Sequence, residues 1–166
     1  MNWDAIGAVA EIAGVLAVVV SLLYLARQVK TGNDLNRNNT FREIMQGLVT
    51  HFNVMFGPEN AELMAKGFKG YESLTPVERL RFAHLLASLF QYAEDSWNSA
   101  QVDLLRDETM VSWRWYFRTQ FFTYPGAQEW WAHFKQGYAP DFRSWVDSVA
   151  QSAEPSDDPY GIIEPN

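Results

Sequence analysis

The chain contains no cysteine, which excludes disulfides, iron–sulfur clusters and cysteine-ligated zinc. Either redox compartment stays open, because a cysteine-free chain tolerates both. A basic run is also missing: 13 Lys and Arg stand against 20 Asp and Glu, a formal net charge of −7. The electrostatic footprint of a nucleic-acid binder is therefore absent, and no nucleic-acid partner is expected. No Walker-type loop, G-x-G-x-x-G, H-E-x-x-H or G-x-S-x-G is present, so the motifs that announce phosphate, dinucleotide, zinc-protease or serine-hydrolase chemistry give no lead. No strand pattern and no internal repeat competes with helical periodicity. From these absences we expect no cofactor, no metal and no catalytic residue, and any small-molecule ligand stays unknown.

What is present begins with "WDAIGAVAEIAGVLAVVVSLLYLAR", Trp3 to Arg27. Ala5 to Ala26 makes about 33 Å of helix at 1.5 Å per residue, close to the roughly 30 Å hydrocarbon core of a bilayer. Trp3 and Tyr24 stand near its ends, where amphipathic rings favour the interface. A cleaved signal needs a basic start and small residues before the cut. Asn2, Trp3, Asp4 and Tyr24 fit neither need, so the segment is expected to stay as an anchor. A buried helix of a soluble protein is the competing reading of the same length. Arg27, Lys30, Arg37 and Arg42 follow the span while only Asp4 and the chain amine precede it. Positive charge gathers on the cytoplasmic side, which puts the N-terminus outside and the remainder in the cytoplasm, in a bacterium at the inner membrane.

Glu11 interrupts this apolar run. Counting by three and four from Asp4 gives Asp4, Gly7, Glu11, Gly14, Val18, Ser21 and Leu25, one face of a helix at the 3.5-residue period of left-handed packing. Every acidic, glycine or serine residue between Asp4 and Leu25 falls on it, and the other positions hold Ala, Ile, Val, Leu and Tyr, which suit lipid. The expected helix-packing seam is therefore Asp4, Gly7, Glu11, Gly14, Val18 and Ser21. Its small residues would admit a second backbone, and its carboxylates would face that neighbour. Two alternatives stand beside it. A shallower span could leave Glu11 among the outer headgroups, with about 22 Å of helix from Ile12 to Ala26 still in the bilayer. Several copies could instead line an ion pore with Asp4 and Glu11, since rings of carboxylates select cations.

Four segments follow. Residues 1–27 are the transmembrane helix. Residues 28–40, asparagine-rich, form a juxtamembrane neck with a candidate break at Gly32-Asn33. Residues 41–151 are a helical cytoplasmic domain, and 152–166 a mobile acidic, proline-containing tail. Within the domain, Thr40 to Glu43 reads as a capping box opening a helix to Phe56, with Ile44, Leu48, Phe52 and Phe56 or Met55 on one face. Gly57-Pro58 opens a short helix that ends near Gly70. Thr75, Pro76 and Glu78 are N-cap, N1 and N3 of a central helix carrying Phe82, Leu86, Leu89, Phe90, Ala93 and Trp97. Asp107 caps the next helix, Tyr124-Pro125 bounds it, and two more helices fit Gly126 to Gln136 and Asp141 to Gln151. The expected fold is all-α, one N-terminal transmembrane helix followed by an antiparallel helical bundle.

The opening thirty residues, "LTPVERLRF" and "GAQEWWAHFKQGYAPDFRSWVD" together resemble a group of small uncharacterised bacterial membrane proteins with one N-terminal transmembrane helix and a helical cytoplasmic domain. The resemblance spans all but the tail. It implies location and fold, and carries no functional residue.

Chemistry is sparse. Glu129 and His133, four apart, share a helix face and could serve a metal, although a solvated pair needs the same spacing. Glu94 and Asp95 beside the central apolar face could act as a buried acid or as di-metal ligands, although no Glu-x-x-His pair accompanies them, or could simply cap a helix or pair with Arg79, Arg81 or Arg114. Trp113, Tyr116, Phe117, Phe121 and Tyr124 form one stripe, read as core. Trp115 and Phe122, seven apart, sit together off it, and with Trp130 and Trp131 they need a second core layer, a partner or the membrane interface. The function read from all this is a membrane-anchored, non-enzymatic helical interaction protein, a homo-oligomer or a subunit of a membrane complex, in contact with membrane lipid. The alternatives are the Asp4/Glu11 pore and a membrane-surface enzyme using Glu94, Asp95 or His133.

Overall fold

A computed structural model of the chain describes residues 3–153 and 158–162, with side chains from residue 11 onward. The described residues form helices joined by short turns, with no strand among them. Six α-helices run in the order α1 (Trp3–Met55), α2 (Ala61–Lys69), α3 (Pro76–Gln101), α4 (Asp107–Tyr116), α5 (Pro125–Phe134) and α6 (Pro140–Gln151). One-turn 3₁₀ segments stand at Tyr71–Ser73 and Lys135–Gly137, and a π-helical turn at Phe117–Phe121 follows α4. The chain divides into two units, Met1–Asn39 and Thr40–Asn166.

The first unit is the leading part of α1, which includes a stretch long and apolar enough to cross a membrane. Helix continues through Gly32 and Asn33, so the expected break at the neck is absent, and Thr40 and Glu43 lie inside a helix instead of capping one. A glycine in a helix interior costs only about 1 kcal/mol, which a long uninterrupted ladder of backbone hydrogen bonds absorbs.

The second unit is built on α3. Thr75 accepts from the Glu78 N–H, and the Glu78 carboxylate accepts from the Thr75 N–H at 2.8 Å, the capping box that the sequence announces. Lys66 on α2 donates to the same carboxylate at 2.7 Å, and these bonds pull the Glu78 carboxyl down to about 2. Phe82, Leu86, Leu89, Phe90 and Ala93 have no exposed surface, while Trp97 is half-buried against Phe142 and Trp145. Phe90 is the hub: it stacks on Phe117 at 4.6 Å and on Trp131 at 5.0 Å, and lies 4.9 Å from Trp130. Each Phe so buried contributes about 1.5–3 kcal/mol of hydrophobic stabilisation.

Around α3, Gly47 of α1 faces Tyr92 and His51 bonds the Leu85 carbonyl, so this part of α1 runs antiparallel to α3. Helix α2 does the same, with Asn60 meeting Arg81 and Lys66 meeting Glu78. Helices α5 and α6 are joined through Asp147, which accepts from Trp131 Nε1 at 2.8 Å and from Lys135 at 3.1 Å. Partial burial would raise the Asp147 carboxyl, but these donors outweigh it and hold it below its ordinary value. Residues 158–162 meet the core as well: Tyr124 donates to Asp158 at 2.7 Å, Tyr160 stacks on Tyr124, and Ile162 packs against the core.

Candidate functional site

Three places could bear function: the face of α1 with Glu11, the titratable groups of the helical unit, and a cleft between α1 and α4. On α1, Asp4 and Gly7 fall among residues whose side chains lie outside the described part. Glu11, Gly14, Val18 and Ser21 are all exposed, and Gly14 has no heavy atom within 4 Å of where a Cβ would stand. Ser21 donates to its own helix at the Ala17 carbonyl, 2.8 Å away. Off this line Ile12, Val15 and Leu22 are about equally bare, at 62, 60 and 60 % exposure. From Glu11 onward the apolar stretch is long enough to cross a membrane and is not covered by other described residues.

The titratable candidates go to structural duties. Glu129 and His133 do not pair with each other: both turn to the 3₁₀ turn before α3, where Glu129 accepts from the Glu72 N–H at 3.1 Å and His133 Nε2 meets the Glu72 carboxylate at 2.7 Å. Arg79 completes this exposed network with an ion pair to Glu72 at 3.2 Å. Pairs this open to solvent are worth at most about 1 kcal/mol. Glu94 accepts from the Ala139 N–H at 2.8 Å and so caps the start of α6, while Asp95 accepts from Gln91 one turn away on α3. Among the described residues, no three His, Asp or Glu side chains come together as a metal site would require.

The aromatic stripe of Trp113, Phe117, Phe121 and Tyr124 is core, with Tyr116 packed at its edge. The second aromatic group divides. Trp115 is 60 % exposed, whereas Phe122, Trp130 and Trp131 are buried and cannot belong to a surface. The cause is the π-turn: Phe122 N–H bonds the Phe117 carbonyl, five residues back, at 2.8 Å. That extra residue in the turn destroys the seven-residue register which would have stacked Phe122 over Trp115. Trp130 Nε1 is buried with no hydrogen-bond partner among the described residues.

The cleft lies wholly within the second unit and has a volume of about 930 Å³. One wall is Phe41, Met45, Leu48 and Phe52 of α1, spaced by four, three and four residues so that they share a face. The other wall is α4, with Val111, Trp115 and Tyr116 along it, and with Arg106 and Glu108 at its start. Tyr116 closes one end against Phe52, ring centroids 5.5 Å apart. Sequence reading missed this cleft. Its apolar spacings were visible, but that α4 stands off from α1 and leaves their facing side chains apart is a matter of helix placement. Arg106 is the N-cap of α4 and makes no side-chain capping bond, so the expected cap at Asp107 is displaced into the helix as its first residue. No family model, no curated protein and no solved structure matches this chain.

Proposed function

We propose that the chain is a membrane-anchored, non-enzymatic helical protein that self-associates, or joins a larger membrane complex, through the α1 face of Asp4, Gly7, Glu11, Gly14, Val18 and Ser21. In this reading it sits in a bacterial inner membrane with its N-terminus outside and the helical unit in the cytoplasm. The observation that carries it is the gathering of every acidic and small polar residue of an otherwise aliphatic span onto one face. That face is bare from Glu11 onward, with open space at Gly14. An ionisable group costs about 3 kcal/mol at the centre of a lipid-facing helix, and a neighbouring helix relieves that cost. The orientation is supported by Arg27, Lys30, Arg37 and Arg42 following the span.

The test is the mass of the complex extracted in mild detergent and measured intact. Gly14→Leu should block close backbone approach and disperse the complex, whereas Val15→Leu, off the seam, should leave it whole. Glu11→Gln should do less damage than Gly14→Leu, because one interhelical hydrogen bond in a membrane is worth only about 0.6–2 kcal/mol. If Val15→Leu disperses the complex and Gly14→Leu does not, the seam is on the wrong face. Conductance in a planar bilayer, abolished by Glu11→Gln, would replace this reading with the pore.

A further inference from the structure

The cleft between α1 and α4 has no part in the seam. Its volume of about 930 Å³ is that of a site for a sizeable small molecule, and its walls are mainly hydrocarbon and aromatic. Trp115 and Val111, 60 and 65 % exposed, leave a bulky apolar rim in water, a costly arrangement that an apolar occupant relieves. Hydrocarbon walls alone would accept many occupants, but this cleft also carries charge. Arg106 and Glu108 both line it, two residues apart, and neither side chain has a hydrogen-bond or ion-pair partner among the described residues. A purely anionic ligand would meet Glu108 and a purely cationic one Arg106. The complementary headgroup carries both signs, a phosphate for the guanidinium and a primary ammonium for the carboxylate. Of the first-turn N–H groups of α4, that of Thr109 is taken by the Arg106 carbonyl at 3.0 Å, while those of Asp107 and Glu108, which no side chain of the N-cap satisfies, add to the phosphate's side of the balance.

We infer that this cleft binds an acyl chain of a zwitterionic, amine-bearing phospholipid of the phosphatidylethanolamine type, drawn from the bilayer that holds α1. The inference rests on the anchoring proposed above, which supplies lipid at high local concentration.

Because the chain lacks cysteine, Val111→Cys gives a single attachment point on the rim for a benzophenone. Val77→Cys, on α3 at a position 69 % exposed and outside the cleft, is the control. The full chain is reconstituted in vesicles of phosphatidylethanolamine with phosphatidylglycerol, or of phosphatidylcholine with phosphatidylglycerol, floated, illuminated and weighed intact. The expected result is an adduct of one phosphatidylethanolamine at position 111 and little at 77. The yield should fall roughly tenfold with Arg106→Ala, as loss of a charge-assisted hydrogen bond implies. It should also fall with Glu108→Gln or with phosphatidylcholine, whose quaternary ammonium cannot donate. A lipid adduct indifferent to these changes overturns the headgroup assignment and with it the proposal. An adduct of twice the chain mass shows a second copy in the cleft and overturns it too. Protein that floats with the vesicles but gains no adduct at position 111 overturns the cleft while leaving the anchor intact. Protein that fails to float overturns both.

Discussion

At the scale of single residues, the tightest constraint falls on two glycines that no sequence pattern singles out. A Cβ on Gly126 would stand 1.7 Å from the Gly67 carbonyl oxygen, and one on Gly67 would stand 2.2 Å from the Phe82 ring. The α5 backbone thus lies directly on the α2 backbone, and α2 on an α3 side chain. Gly126→Ala should therefore cost about 1–3 kcal/mol or more, since backbone cannot yield as a flexible side chain can. Urea unfolding of the full chain in mild detergent measures this, and a loss below about half a kcal/mol would deny the close approach. His51 is the other informative residue. Burial pushes its imidazole below the ordinary value of 6.5, and its bond to the Leu85 carbonyl only partly opposes that. The folded state then resists protonation more than the unfolded state does. Stability from this group is present above about pH 6.5 and is lost as pH falls through the gap between the two values. Between pH 7.5 and pH 5 the wild type should lose more stability than His51→Gln, and equal losses would show that another group dominates.

At the scale of elements, local signals decided most boundaries. The Thr75/Glu78 box starts α3 where the sequence put it, because it fixes the first turn by its own hydrogen bonds, while Pro125, expected to bound the preceding helix, is itself the first residue of α5, one ahead of the expected Gly126. Two elements departed. Helix α1 runs through Gly32-Asn33, a dipeptide that favours turns only when nothing rewards the helix on either side. Gly32 has open space where a Cβ would stand, so Gly32→Ala should stabilise this stretch by up to about 1 kcal/mol, and Gly32→Pro should break it at about 3 kcal/mol relative to Ala. Hydrogen exchange at Asn33 to Asn36 reads both, and free exchange of those amides in the wild type would restore the expected break. The π-turn at Phe117–Phe121 is the second departure. No local signal marks it; five consecutive backbone groups widen so that Phe121 and Phe122 can both enter the core.

For the whole molecule, the charge flanking α1 makes the topology testable. In intact cells a membrane-impermeant maleimide should label Asn2→Cys and spare Gly161→Cys, in a chain with no cysteine of its own. Labelling of position 161 from outside would invert the orientation drawn from Arg27, Lys30, Arg37 and Arg42.

By itself the sequence determined the helical class, the long apolar opening of α1, the one helix face that Glu11 shares with Gly14 and Ser21, and the apolar stripe of α3. Each is a periodicity or a cap, a relation between residues close in the chain that a helix converts directly into a shared face. The tertiary structure decided which stripes meet. It buried Phe122, Trp130 and Trp131 while leaving Trp115 outside, gave Glu94 to the start of α6 and His133 to Glu72, and opened a cleft between α1 and α4. Those outcomes join residues tens of positions apart, and one inserted backbone residue in the π-turn was enough to send two aromatics of matching period to opposite fates. Periodicity fixes the face on which a side chain stands, but only packing fixes what that face meets.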